Sequence, residues 1–183
     1  MSKVAVMLAD GFEDVEAITA IDLMRRAGIE VTTVSVNADD TVTTSHKIVL
    51  KTDAVLDNTD LDAFDMIVLP GGMPGTVNLG KTKALTDKII EFNSKGKMLG
   101  AICAAPTVFG SLGILEGKRA CCYPGMEDGL IGAIKSTNNV EVDGNINTSR
   151  GVGTAIDFAL AIITKLVSKN AADDIATGIV YKV

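Results

Sequence analysis

A doubly wound α/β sandwich on a mostly parallel sheet is indicated by three features of this 183-residue chain. Short apolar runs, too continuous for strands with one wet face, recur along it. Amphipathic stretches separate them at helical spacing, and glycine or proline stands at most of the junctions. One domain with a sizeable core, residues 1–183, accommodates the whole pattern.

The first run, Lys3 to Leu8, stops at Asp10-Gly11 and reads as a central strand. Glu13 to Ala27 follows as a helix with an acidic first turn, Val15, Ile18, Ile21 and Met24 on one side, and Gly28 as its stop. Glu30 to Val36 is the second strand. Thr41 to Leu50 alternates loosely and suggests a small hairpin or edge strand bearing His46. Phe64 to Leu69 is a buried strand running into Pro70-Gly71-Gly72-Met73-Pro74-Gly75, and Lys83 to Lys95 is the crossover helix, closed by Gly96. Met98 to Ile102 forms a further buried strand, and Pro106 opens the short helix that continues to Leu112, because proline lacks only an N–H that the first helical position does not use.

Beyond Gly113, Arg119 to Cys122 is a short strand ended by Tyr123-Pro124-Gly125. Val140–Asp143 and Ile146–Ser149, joined by Gly144-Asn145, form a hairpin, since that pair supplies positive φ. Arg150-Gly151-Val152-Gly153 leads into an apolar helix, Thr154 to Val167. A helix near Ala171–Thr177 and a tail, Ile179 to Val183, finish the chain.

Composition excludes several classes. Hydrophobic residues make up 47% and charged ones 22%, the balance of a soluble globular protein. Val4 to Ala9 is too short for a signal-peptide core, and Thr154 to Val167 is interrupted by Asp157 and Lys165, so neither predicts a membrane segment. Net charge is −6, with no basic run to track phosphates, which argues against nucleic acid as a partner. Three cysteines, two of them adjacent, form no disulfide framework and lack metal-ligand spacing. A reducing, cytoplasmic setting is expected, and a free Cys103 with it.

In open α/β sheets ligands bind beyond the carboxyl ends of the strands. Gly11 with the helix bearing Glu16, Gly71-Gly72, Cys103, and Ser149-Arg150-Gly151 all follow strands and share that edge. Cys103 falls in the turn of a strand–turn–helix, flanked by the small residues Ala101 and Ala105, as a nucleophile elbow requires. The helix start favours its thiolate. Read in isolation, Cys103 is equally well a small core hydrophobe. Glu16, between Val15 and Ala17, would be kept protonated by desolvation if it faces the cleft, and is otherwise an ordinary surface carboxylate. Glu13 and Asp14 have a sufficient reason in the helix dipole. The Gly71-Gly72 and Ala104 N–H groups could hold an oxyanion.

The stretches Asp10-Gly-Phe-Glu-Asp-Val-Glu16, Asp22-Leu-Met-Arg-Arg-Ala-Gly28, Val68-Leu-Pro-Gly-Gly72, Ala101-Ile-Cys-Ala-Ala-Pro106, Thr148-Ser-Arg-Gly151 and Phe158-Ala-Leu-Ala-Ile162 together resemble the ThiJ/PfpI superfamily, specifically its DJ-one branch. The resemblance implies a flavodoxin-like domain of the class I glutamine amidotransferase-like kind, a homodimer, and no cofactor or metal. It places Cys103 as nucleophile, Glu16 as its general acid/base, and Gly72 and Ala104 at the oxyanion positions. Three positions depart from the family pattern. Ala104 stands where protease-like relatives carry histidine, which disfavours a cysteine peptidase or amidase. Tyr123 precedes Pro124 where the branch often keeps a histidine, leaving Tyr123 as a possible donor, and His46 falls near the expected dimer interface where relatives tend to carry arginine. The function implied is of the glyoxalase/deglycase type on dicarbonyls such as methylglyoxal or their early adducts. The alternative is an oxidative-stress sensor or protective chaperone through oxidation of Cys103 to sulfinate.

Overall fold

Lys3–Leu8 (β1) forms the middle of the sheet, with Val4, Val6 and Leu8 packing into one layer and Ala5 and Met7 into the other. The computed structural model describes residues 1–181. Of the expected tail Ile179–Val183, residues 182–183 lie outside the described residues. After β1 come α1 (Asp14–Arg26), β2 (Glu30–Ser35), β3 (Thr41–Thr43), β4 (Val49–Lys51), β5 (Ala54–Val55) and β6 (Met66–Leu69). Then follow α2 (Gly75–Lys81), α3 (Lys83–Ser94), β7 (Met98–Ile102), α4 (Pro106–Ser111), β8 (Arg119–Ala120) and β9 (Ile134–Lys135). The hairpin strands β10 (Val140–Asp143) and β11 (Ile146–Ser149), then α5 (Ala155–Leu166) and α6 (Lys169–Gly178), end the described chain.

The main sheet has the order β10-β11-β7-β6-β1-β2-β5, with every neighbouring pair parallel except the β10–β11 hairpin at one edge. Helices cover both faces. Leu79, Leu85, Ile89, Phe92, Val108 and Phe109 of α2, α3 and α4 fill one layer, and Ala17, Ala20, Met24, Phe158, Ala159 and Ile162 of α1 and α5 fill the other. The crossover from β1 runs outward to β2 on one side, and the crossover from β6, its neighbour, runs outward to β7 on the other. That reversal opens a crevice beyond the carboxyl ends of β1 and β6.

Gly100 in β7 shows how tightly the second layer sits. A Cβ there would lie 2.7 Å from Met66 Cε and 3.1 Å from Phe158 Cζ, so a side chain would displace the end of Met66 and crowd the Phe158 ring of α5. Periodicity predicts most of the elements to within two residues, and the structure adds detail at four places. Val15 and Ile18 are 43% and 44% exposed, because α1 turns Glu16, Ala17, Ala20, Ile21, Leu23 and Met24 inward instead. Cys121 and Cys122 follow a strand that ends at Ala120 and lie in a buried loop. The apolar helix begins at Ala155, after a 3-10 turn at Val152–Thr154. Helix α2 and the edge strand β5, both short, carry too little period to be read from sequence.

Phe158 is fully buried where α5 meets β7. Phe158→Ala should therefore destabilise the protein by about 3–5 kcal/mol, measured by urea unfolding. A loss under about 1 kcal/mol would show that the layer collapses freely around the missing ring.

Candidate active site

Cys103 sits between the end of β7 and the proline that opens α4, with φ at +65°. A residue with a Cβ occupies this left-handed region at a cost of roughly 1–2 kcal/mol. Backbone bonds hold it there. Cys103 N–H donates to the Ser149 carbonyl at 3.0 Å, Tyr123 N–H to the Cys103 carbonyl at 2.7 Å, and Ala105 N–H to the Ile102 carbonyl at 3.1 Å. The bend leaves Cys103 partly accessible, whereas Cys121 and Cys122 are 0% and 1% exposed.

Glu16 reaches the same place from the first turn of α1. It is 1% exposed, and its Oε2 accepts from Gly71 N–H at 2.9 Å, while Oε1 has no hydrogen-bond partner among the described residues. The glycine loop makes this approach possible. A Cβ on Gly71 would stand 2.5 Å from Cys103 Cβ and 2.7 Å from Glu16 Oε2, and Gly72 takes a φ of +88° against the Gly11–Glu13 backbone. Two further bonds lace the loops together: Glu13 N–H donates to the Gly71 carbonyl at 2.9 Å and Gly75 N–H to the Gly11 carbonyl at 3.2 Å.

Burial pushes the Glu16 carboxyl up to about 7, aided by the charge of Glu13 and opposed by hydrogen bonds from Cys103 and the Gly71 N–H. The thiol moves the same way. Burial, then the Glu16 carboxylate beside it, pushes Cys103 up to about 12, against hydrogen bonds from the Gly72 and Ala104 N–H groups. This corrects the expectation that a helix start makes Cys103 a thiolate. Helix α4 has only six residues and begins three positions on, so its dipole is outweighed by desolvation and a neighbouring carboxylate. Near neutral pH the pair accommodates one negative charge, and the thiol becomes anionic when its partner holds the proton. Cys122, pushed up to about 11 by burial, has no comparable acid beside it.

A cleft of about 470 Å³ opens above the pair, lined by Cys103, Glu16, Gly72, Tyr123, Gly151 and Thr154 among others. The Tyr123 ring lies over Gly151, where a Cβ would meet its Cδ2 at 3.4 Å. Of the residues named from sequence, Cys103, Glu16, Gly72 and Tyr123 all line this cleft, and Ala104 contributes its N–H to the sulfur while its side chain is buried. Glu13, Arg150 and Thr154 line it as well. From sequence, the helix dipole alone accounts for Glu13. Its spacing, one helical turn before Glu16, was the available signal. His46 is held beside Glu13 and Asp14, with its ring against the Asp14 carboxylate and Ser45 donating to Glu13, so the three form an ion-pair cluster at the start of α1.

A flavodoxin-like domain in which a strained cysteine shares a cleft with a buried carboxyl defines a protein of the cysteine-elbow α/β class. The chain belongs to the DJ-1/PfpI family, which residues 2–165 match. It is 40% identical to the protein dj-1beta of Drosophila melanogaster, over 98% of this chain and 97% of that one. A Pyrococcus abyssi protein named a deglycase is 35% identical, over 82% of this chain and 91% of its own length. Among solved structures, oxidized DJ-1 of Toxoplasma gondii superposes with a TM-score of 0.96 at 35% identity, each chain covered completely. The described residues contain no helix long and apolar enough to cross a membrane.

Because Glu16 is raised in the folded state, it favours folding below its unfolded value near 4.5, and that contribution is lost as pH rises through about 7. The loss is about 3 kcal/mol. Glu16→Gln keeps an oxygen for the Gly71 N–H but carries no charge, so it should melt above the wild type at pH 8, with the gap closing towards pH 5. Thermal unfolding at the two pH values checks this, and a gap independent of pH would contradict it.

Proposed function

We propose that the chain is a cofactor-independent cysteine enzyme of the glyoxalase/deglycase type, acting as a single domain on small dicarbonyls such as methylglyoxal or their early adducts. The observation that carries this reading is the unpartnered Oε1 of Glu16, a buried carboxyl oxygen beside an accessible, strained cysteine in an open cleft. A buried polar atom without a partner is costly unless a ligand supplies one.

In this reading the Cys103 sulfur adds to the aldehyde carbon. The thiol proton ends on the new oxygen, which the Gly72 and Ala104 N–H groups hold. Glu16 as carboxylate removes the hydrogen left on that carbon and returns it to the adjacent ketone carbon, while the proton on the first oxygen passes to the ketone oxygen, which becomes the hydroxyl of lactate. The result is a lactoyl thioester: one carbon is oxidised, its neighbour reduced, and no external electron acceptor is needed. Water hydrolyses the thioester to lactate and restores the thiol. Tyr123 can donate a neutral hydrogen bond to a bound oxygen from the rim. A cysteine peptidase is disfavoured, since Ala104 follows the cysteine and the chain's one histidine is His46.

A second reading rests on a different observation. The same two N–H groups and a protonated Glu16 surround the sulfur, and would equally hold the oxygens of a sulfinate, giving a sensor or protective role under oxidative stress. The oxidized state of the Toxoplasma relative favours it.

Lactate released from methylglyoxal should fall at least 100-fold in Cys103→Ser and in Glu16→Gln, against an unchanged fold by circular dichroism. Wild-type lactate production in the Glu16→Gln protein would remove the shuttle and the reading with it.

The partner is proposed to be a second copy of this chain. Val15, Ile18 and Ile48 form an exposed apolar patch where α1 meets the β3–β4 hairpin, of the kind a homodimer buries. Light scattering should give twice the chain mass, and Ile18→Asp should return it to one.

A further inference from the structure

The β3–β4 hairpin brings the chain's one histidine onto the start of α1. His46 Nδ1 lies 2.7 Å from Asp14 Oδ1 and 3.6 Å from Glu13 Oε1, and Ser45 Oγ donates to Glu13 Oε2 at 3.2 Å. The arrangement is fixed by backbone. Ser45 N–H donates to the Phe12 carbonyl and Gly11 N–H to the Thr43 carbonyl, both at 2.8 Å, and Phe12 pairs with Thr44 as an isolated bridge.

Glu13 therefore faces two ways. On one side its carboxylate meets His46 and Ser45, and on the other it lines the cleft that holds Glu16 and Cys103. The charged and titratable groups facing His46 are Glu13 and Asp14 of α1, with Lys47 next to it in its own hairpin. Those around Glu16 are Glu13 and Cys103, with Tyr123 and Arg150 completing the cleft.

Taking Cys103 and Glu16 as the reacting pair of the proposed function, we infer that His46 is a positioning residue acting through Glu13: its positive charge offsets the Glu13 carboxylate and so sets the pH at which the pair gives up its first proton. The sign follows from the charges. An uncompensated Glu13 opposes a second negative charge nearby, which delays ionisation of the pair to higher pH, and a cation on Glu13 brings it lower. The hydrogen bond to Asp14 raises the proton affinity of His46, which extends its charged form towards the range where Glu16 titrates. His46 touches neither substrate nor sulfur in this scheme.

The test uses no dicarbonyl. Iodoacetamide labelling of Cys103, resolved by peptide mapping, is followed against pH at low salt in the wild type, His46→Gln and His46→Arg. The midpoint should rise by roughly 0.3–0.5 pH unit in the glutamine variant, as for charges acting across a partly screened surface, and stay level or fall in the arginine variant. Added salt of about 0.5 M should shrink the difference between the two variants. The Glu16 carboxyl carbon, titrated by NMR in the same proteins, must move with the same sign. Midpoints that shift together in both variants would show a disturbed hairpin and overturn the inference, as would midpoints that do not move. Shifted midpoints in a protein that makes no lactate would sustain the role of His46 while removing the dicarbonyl chemistry, so the two failures remain distinct.

Discussion

The hydrogen bond from the Gly71 N–H to Glu16 Oε2 joins the two halves of the crevice at its most buried point, beside the backbone bonds Glu13 N–H to Gly71 carbonyl and Gly75 N–H to Gly11 carbonyl. It fastens the loop after β6 to the first turn of α1, and it anchors a carboxyl that is otherwise cut off from water. Everything near it follows from the space it demands. Gly71 cannot carry a side chain, Gly72 must take positive φ, and the Gly11–Phe12 turn must lie flat against both. Cys103 then enters a confined space in which two acids compete for one charge. The chemistry of the cleft is thus set less by the cysteine itself than by the desolvation of its neighbour.

This inverts the common account of a reactive thiol at a helix start. With six residues in α4, the dipole is a small effect beside burial and a like charge within hydrogen-bonding reach. What distinguishes Cys103 from the two cysteines behind it is access and a proton-sharing partner. Cys121 donates instead to the Thr148 carbonyl inside the core, and Cys122 to its neighbour's carbonyl.

Much of the architecture was legible in sequence because the strands of a sheet covered on both faces are written as unbroken apolar runs, as in Val4–Leu8 and Met66–Leu69. Glycines at Gly28, Gly96 and Gly144 marked true changes of direction. The residues of the candidate site could be gathered because each follows a strand at one edge. Less legible was anything decided by which way a helix faces. The apolar spacing of α1 groups Val15 and Ile18 with Ile21 and Met24 on one side, yet the inward face is made of Glu16, Ala17, Ala20, Ile21, Leu23 and Met24, whose small alanines let the helix lie close to the sheet. Glu13 was passed over for the same reason, since a carboxylate at a helix start has an adequate local cause. Proton affinities were beyond the sequence altogether, because desolvation depends on what the fold stacks above a side chain.

The cleft draws on segments at opposite ends of the chain: Glu16 after the first strand, Gly72 and Cys103 from the middle, Gly151 after β11. No contiguous fragment contains a working portion of it. Its lining is assembled by sheet pairings between distant segments, β11 on β7 among them, so each residue owes its surroundings to parts of the chain far from it. The perturbed pair is a property of the finished sheet and not of any one segment.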